Sequence, residues 1–272
     1  MNNSASEEMT FLEHLEELRW HLIRAIAAVL VFAILAFIFH KIIFDEIIIA
    51  PKNPDFFTNK KFCEFGQIVN IRKLCINSEP FQLINIKMAG QFSTHIIVSL
   101  FAGIVIAFPY IMLEFWRFVQ PALYSNEKKH TKGAVFSTSL LFLLGVLFGY
   151  FLIVPLSVHF LGSYYVSNQV MNQINLKSYI STVTSVCFAS GIIFELPVLV
   201  YFLSKIGLVT PGFLRKYRKH SIIIILTLSA IITPPDIFSQ VLVCLPLIIL
   251  YEIGIFISKR IADKDEKEEL LG

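Results

Sequence analysis

The chain has 272 residues, of which 56% are hydrophobic and 16% charged, with a net charge of +3. A soluble domain carries about a quarter charged residues. The apolar residues here also come in long blocks, so a soluble domain is excluded in favour of membrane spans. The small net charge gives no electrostatic footprint for nucleic acid.

The first 21 residues are polar and contain Glu7, Glu8, Glu13, Glu16 and Glu17. That is the opposite of a basic leader region, so no removable signal peptide is expected. Thr10-Phe-Leu-Glu13 fits a capping box, predicting a helix that starts there and runs into the first span. On that helix Phe11, Leu15, Leu18 and Leu22 share a narrow stripe, while Glu13, Glu16 and Glu17 gather on the opposite face. Neighbouring carboxylates repel unless a cation satisfies them. Two readings follow: a surface amphipathic helix relieved by Arg19 and His21, or a docking site for a cationic ligand.

Six apolar blocks follow, at Leu22–Phe44, Met88–Leu113, Gly133–Phe160, Tyr179–Phe202, Ser221–Thr233 and Ile237–Ile257. Together they predict one six-span, all-α transmembrane domain over residues 1–260. The stretch from Phe44 to Lys87 is polar and broken by Pro51, Pro54 and Pro80, predicting a long loop. The fifth block is short. Only 13 residues separate His220 from Pro234, giving about 20 Å of helix against about 30 Å of hydrocarbon. The run at 263–269 mixes both charges without apolar partners, predicting a solvated, frayed tail over 261–272.

Orientation follows from lysine and arginine. The N-terminus, the loops at 114–132 and 204–220 and the tail carry 15 of the 23 basic residues, against 8 on the other side. Seven of those 8 lie in or beside the long first loop, which runs against the rule. The short loops decide: 161–177 has only Lys177 and 234–236 has none. Both termini are expected inside.

Glu195 lies deep in the fourth block. A carboxylate there costs about 3 kcal/mol on insertion scales, so such groups face a bundle interior or a partner. Asp236 and Gln240 follow the Pro234-Pro235 turn, where Asp236 is also well placed to cap a helix N-terminus. Glu127 is a lone acid in the second inside loop, and pairing with Lys128 would explain it. Cys187 and Cys244 fall within spans as small apolar fillers. Cys63 and Cys75 share the outer loop, where oxidation is permitted, and a disulfide between them is the preferred reading. That loop has no histidine, which argues against zinc. No phosphate loop, His-Glu-x-x-His or Gly-x-Ser-x-Gly is present, so neither an enzyme nor a cofactor is expected. A proton-coupled transporter would need more polar groups at the depth of Glu195, and an intramembrane hydrolase would need a nucleophile–base pair there.

These residues together resemble the TatC family, the multi-spanning core subunits of the twin-arginine protein translocase. The resemblance is carried by His14-Leu-Glu-Glu-Leu-Arg19, by Phe118-Val-Gln-Pro-Ala-Leu-Tyr124 with Glu127, and by Phe194-Glu-Leu-Pro197. Thr233-Pro-Pro-Asp-Ile-Phe-Ser-Gln240 and Tyr251-Glu-Ile-Gly254 complete it. The outer loop is longer than the family pattern. The resemblance implies a curved, glove-like bundle with short fifth and sixth spans in a bacterial inner membrane. It implies that Glu17 and Glu127, with Arg19 and Phe118 beside them, receive the twin-arginine motif of a signal peptide. It further implies a groove bearing Glu195, Asp236 and Gln240 toward membrane lipid or the single-span partners TatA and TatB. Self-association and export of folded cargo by the proton-motive force are implied as well.

Overall fold

The computed structural model describes residues 11–71, 75–78, 81–119, 131–167, 169–170, 172–232 and 237–271. The described chain is almost all helix. It divides into two compact units, one holding the residues up to Phe39 with Ser99–Ser139, the other His40–Val98 with the residues from Leu140 on.

The first unit is built on α1 (Phe11–Ile38), the second half of α3 (Gly90–Val119) and the start of α4 (Thr131–Phe148). Gly103 on α3 permits close approach to α1. A Cβ there would lie 2.8 Å from both the Val29 carbonyl oxygen and the Ala33 nitrogen. Small residues at such crossings let membrane helices pack by van der Waals contact, the main force available in lipid.

In the second unit the chain first makes a π-helical turn at Ile42–Ile48. Its last carbonyls lack helical partners, and two phenols supply them. Tyr150 donates to the Ile47 oxygen at 2.7 Å and Tyr179 to the Ile48 oxygen at 2.8 Å. The expected long outer loop then holds a helix of its own, α2 (Phe57–Ile68). Its end is fixed by a Schellman turn: Asn70 adopts a left-handed φ of 60° and Ile71 N–H reaches the Gly66 oxygen at 2.8 Å. Cys63 and Cys75 are joined by a disulfide across this turn. Just beyond it, buried Asn77 donates to the carbonyls of Pro51 and Pro155, and Asn59 donates to those of Pro51 and Asn53. The outer segment is therefore knit together by polar groups, where its sequence suggested only breakers. A two-residue parallel pair, β1 (Leu83–Ile84) with β2 (Ile174–Asn175), ties it to the loop before α6.

Proline sets the other breaks. The third block becomes α4, a π-helical turn at Gly149–Ile153, and α5 (Val154–Ser163). Pro155 has no N–H for the Phe151 carbonyl, and the Thr58 hydroxyl donates to that oxygen instead. The fourth block, expected as one span, is α6 (Leu176–Phe194) and α7 (Leu196–Lys205), broken at Glu195. Pro197 cannot donate to Ile193, which ends the first helix and starts the second.

A short helix, α8 (Pro211–Lys216), precedes α9 (Arg218–Ile232), which has 15 described residues. The last helix, α10 (Ile237–Leu271), runs 35 residues and passes straight through the expected frayed tail. Lys, Glu and Leu are strong helix formers, and Asp263/Lys267 and Lys264/Glu268 fall at favourable i,i+4 spacing. No glycine or proline intervenes between Gly254 and Gly272. The charged tail is an extension of the last helix.

Among the described residues, four stretches are long and apolar enough to cross a membrane, His14–Ile38, Gly90–Val119, Gly133–Ser163 and Leu176–Lys205.

Candidate functional site

The polar face of α1 turns toward α3, and its apolar stripe turns outward. Leu15, Leu18 and Leu22 are exposed, whereas His14, Glu17 and His21 are at least partly covered. These three sit at i, i+3 and i+7, one helical face. An ordinary amphipathic helix on a soluble protein would bury its leucines. In a membrane the leucines can face lipid, and the polar residues must find partners within the protein.

Phe118, near the end of α3, is the hub. Its ring stacks on His14 with centroids 4.5 Å apart and meets His21 edge-on at 6.2 Å. Glu17 lies between those two histidines along α1. Its Oε2 is buried and has no hydrogen-bond partner among the described residues. A buried carboxylate oxygen without a donor is costly, so this is a site that asks for one. Arg19 is exposed, with its guanidinium 5.6 Å from the Trp20 ring centroid. Two residues on from Glu17 it stands about 200° round the helix, so the structure does not bring it to Phe118. Glu127 lies outside the described residues.

One residue of this region escaped the sequence reading. Glu114, one turn before Phe118, is 1% exposed. His21 Nδ1 donates to its Oε2 at 2.6 Å, and Arg117 Nη1 donates to Oε1 at 3.0 Å. Arg24 Nη1 lies 3.7 Å from Oε2, and the Tyr110 hydroxyl is a further partner. A signal did exist: an acid closing an apolar block, with basic residues on the preceding helix. It was masked because acids at span ends commonly reach water.

Glu195 and Gln240, expected to border a groove, both belong to the second unit. Glu195 occupies the turn between α6 and α7, where its backbone oxygen accepts from Val198 and Leu199 N–H, both at 3.0 Å. Its Oε1 is buried without a partner among the described residues. The helices leading to it pack tightly: a Cβ on Gly145 would lie 2.6 Å from the Ser190 oxygen, and one on Gly191 would lie 2.7 Å from the Phe142 ring. Gln240 Nε2 donates to the Leu226 oxygen at 3.2 Å, linking α10 to α9. That bond gives Gln240 a structural use and does not bring it to Glu195. Asp236 lies outside the described residues. Among the described residues no cluster of three or more metal-ligating side chains forms.

Comparison with known proteins identifies the family. The family described as "Sec-independent protein translocase protein (TatC)" matches residues 13–246. A TatC protein of Blattabacterium sp. subsp. Periplaneta americana is 39% identical over 94% of this chain and 97% of its own length. One from Aquifex aeolicus is 37% identical over 96% of this chain and 98% of its own. The crystal structure titled "Twin Arginine Translocase Receptor- TatC" superposes with a TM-score of 0.69 at 36% identity, covering 92% of this chain and 100% of that one. A family match over most of the chain, with relatives this similar end to end, settles the assignment: the chain belongs to the TatC family of protein translocase subunits.

Proposed function

We propose that this chain is the core receptor subunit of a twin-arginine translocase. It binds the paired arginines of a signal peptide with Glu17 on α1 and with Glu127 in the loop after α3. Phe118 shapes the site beside Glu17, and Arg19, exposed on the far face of α1, contributes only to parts of the peptide beyond the paired arginines. The observation that carries this reading is the buried Oε2 of Glu17, without a partner among the described residues, on the face of α1 whose His14 and His21 meet Phe118. Guanidinium suits such a carboxylate, because it is planar, permanently charged and able to donate two parallel hydrogen bonds to it.

The chain sits in the bacterial inner membrane as a single six-span domain with both termini in the cytoplasm. The contacts described above are compatible with this, since His14 meets Phe118 and β1 meets β2 on segments expected to share a side. The 15-residue α9 is about 22 Å long, which favours local thinning of the bilayer. Glu195, Asp236 and Gln240 mark the region that receives the single-span partners TatA and TatB. The chain acts as a transporter of folded cargo driven by the proton-motive force and performs no chemical step itself. It associates with further copies of itself within the receptor complex.

Site-specific photo-crosslinking tests the reading. A twin-arginine peptide should crosslink to a probe at position 118 or 17, and not to probes on the exposed leucine stripe at 18 and 22. Crosslinking confined to the stripe would refute this site.

A further inference from the structure

Glu114 has no place in the peptide site as proposed, because its oxygens are already occupied. His21 and Arg24 approach Oε2, while Arg117 donates to Oε1. Each neighbouring residue has a defined spacing from the peptide site. His21 is four residues after Glu17 on α1, and Glu114 is four residues before Phe118 on α3. One turn along each helix, the pair therefore fixes how α1 is rotated against α3. Rotation matters at this position. Consecutive residues on a helix point about 100° apart, so a slip of one residue would carry Glu17 away from Phe118 and toward the lipid-facing stripe.

We propose that His21 and Glu114 form a positioning latch for the signal-peptide site. The latch aims Glu17 at the space beside Phe118. It also neutralises Glu114 internally, so that this carboxylate does not compete with Glu17 for an incoming guanidinium. The proposal rests on the reading of Glu17 as a peptide-binding residue.

The test is a double-mutant cycle on the full chain in lipid nanodiscs, read as affinity for a fluorescent twin-arginine peptide. His21→Ala should weaken binding about tenfold in the otherwise unchanged protein, a loss of the size expected for one misaimed charged hydrogen bond. In a Glu17→Ala background the same substitution should add less than about twofold, because a residue acting through Glu17 has nothing left to aim. His21→Arg, which keeps a cation within reach of Glu114, should restore affinity to within about threefold. If His21→Ala does not yield a folded chain, His21→Asn enters the cycle in its place. Losses that multiply independently in the two backgrounds would overturn the latch, as would a neutral His21→Ala. Glu17→Ala without effect would instead overturn the peptide site itself, so the two failures are distinguishable.

Discussion

The ring of Phe118 lies on the imidazole of His14 at 4.5 Å between centroids, joining the end of α3 to the first turns of α1 within one unit. That contact brings together two motifs about a hundred residues apart, and Glu17 lies along α1 between the two histidines that meet Phe118. Stacked aromatic pairs contribute about 0.5–1.5 kcal/mol beyond buried area. Phe118→Ala should therefore weaken twin-arginine peptide binding by roughly twofold to tenfold. Phe118→Tyr, which keeps the stack, should stay close to the unchanged protein in the same titration.

The disulfide between Cys63 and Cys75 closes a 12-residue separation around the α2 terminus. Chain-entropy arguments give such a loop about 3 kcal/mol. Mass spectrometry of unreduced, alkylated protein should find these two linked and Cys187 and Cys244 unmodified by any bridge. Cys63→Ser with Cys75→Ser should lower the melting temperature in detergent while leaving signal-peptide affinity within about twofold. Alkylation of all four thiols without reductant would contradict the assignment.

Glu195 at the α6–α7 turn carries a buried Oε1 without a partner among the described residues. If it receives a polar group from a single-span partner, Glu195→Ala should reduce co-purification of that partner while peptide binding persists. Glu195→Gln, which keeps hydrogen-bonding capacity, should be the milder change. Parallel loss of both activities with aggregation would assign Glu195 to folding alone.

Close packing of α4 on α6 leaves no room for side chains at Gly145 and Gly191. Gly191→Val would place its Cβ against the Phe142 ring and should cost about 1–3 kcal/mol of stability, typical of overpacking. Thermal unfolding of purified protein measures it. Gly133→Ala, where a Cβ meets nothing within 4 Å, is the matched control.

The first four apolar blocks were legible because lipid demands long apolar stretches, and each coincides with a helical stretch long enough to cross a membrane. Helix breaks were less legible. Pro155 and Pro197 announced where hydrogen bonds fail, yet not that Thr58 would replace one or that Glu195 would occupy the turn. The outer segment was misjudged as loop because α2 is polar. Its stability comes from Asn59, Asn77 and tyrosine hydroxyls filling orphaned carbonyls, partners far away in sequence. The tail was misjudged in the opposite sense, since local charge spacing suffices to carry α10 to Leu271. At the candidate site Glu17 and Phe118 were legible as motif residues. The burial of Glu114 depended on α1 turning its polar face inward, which a helical wheel shows as two faces without saying which one meets protein.

In the proposed site separate carboxylates, Glu17 and Glu127, each take one guanidinium of the paired arginines. Isothermal titration of twin-arginine and twin-lysine peptides against Glu13→Ala, Glu17→Ala and Glu127→Ala tests it most directly. A charge-assisted hydrogen bond is worth about 1.5–3 kcal/mol, so Glu17→Ala and Glu127→Ala should each weaken the arginine peptide roughly tenfold or more. Glu13→Ala should matter little, and the lysine peptide should bind poorly even to the unchanged protein. Equal losses from all three substitutions, with salt abolishing the arginine preference, would show a diffuse acidic patch and contradict the assignment.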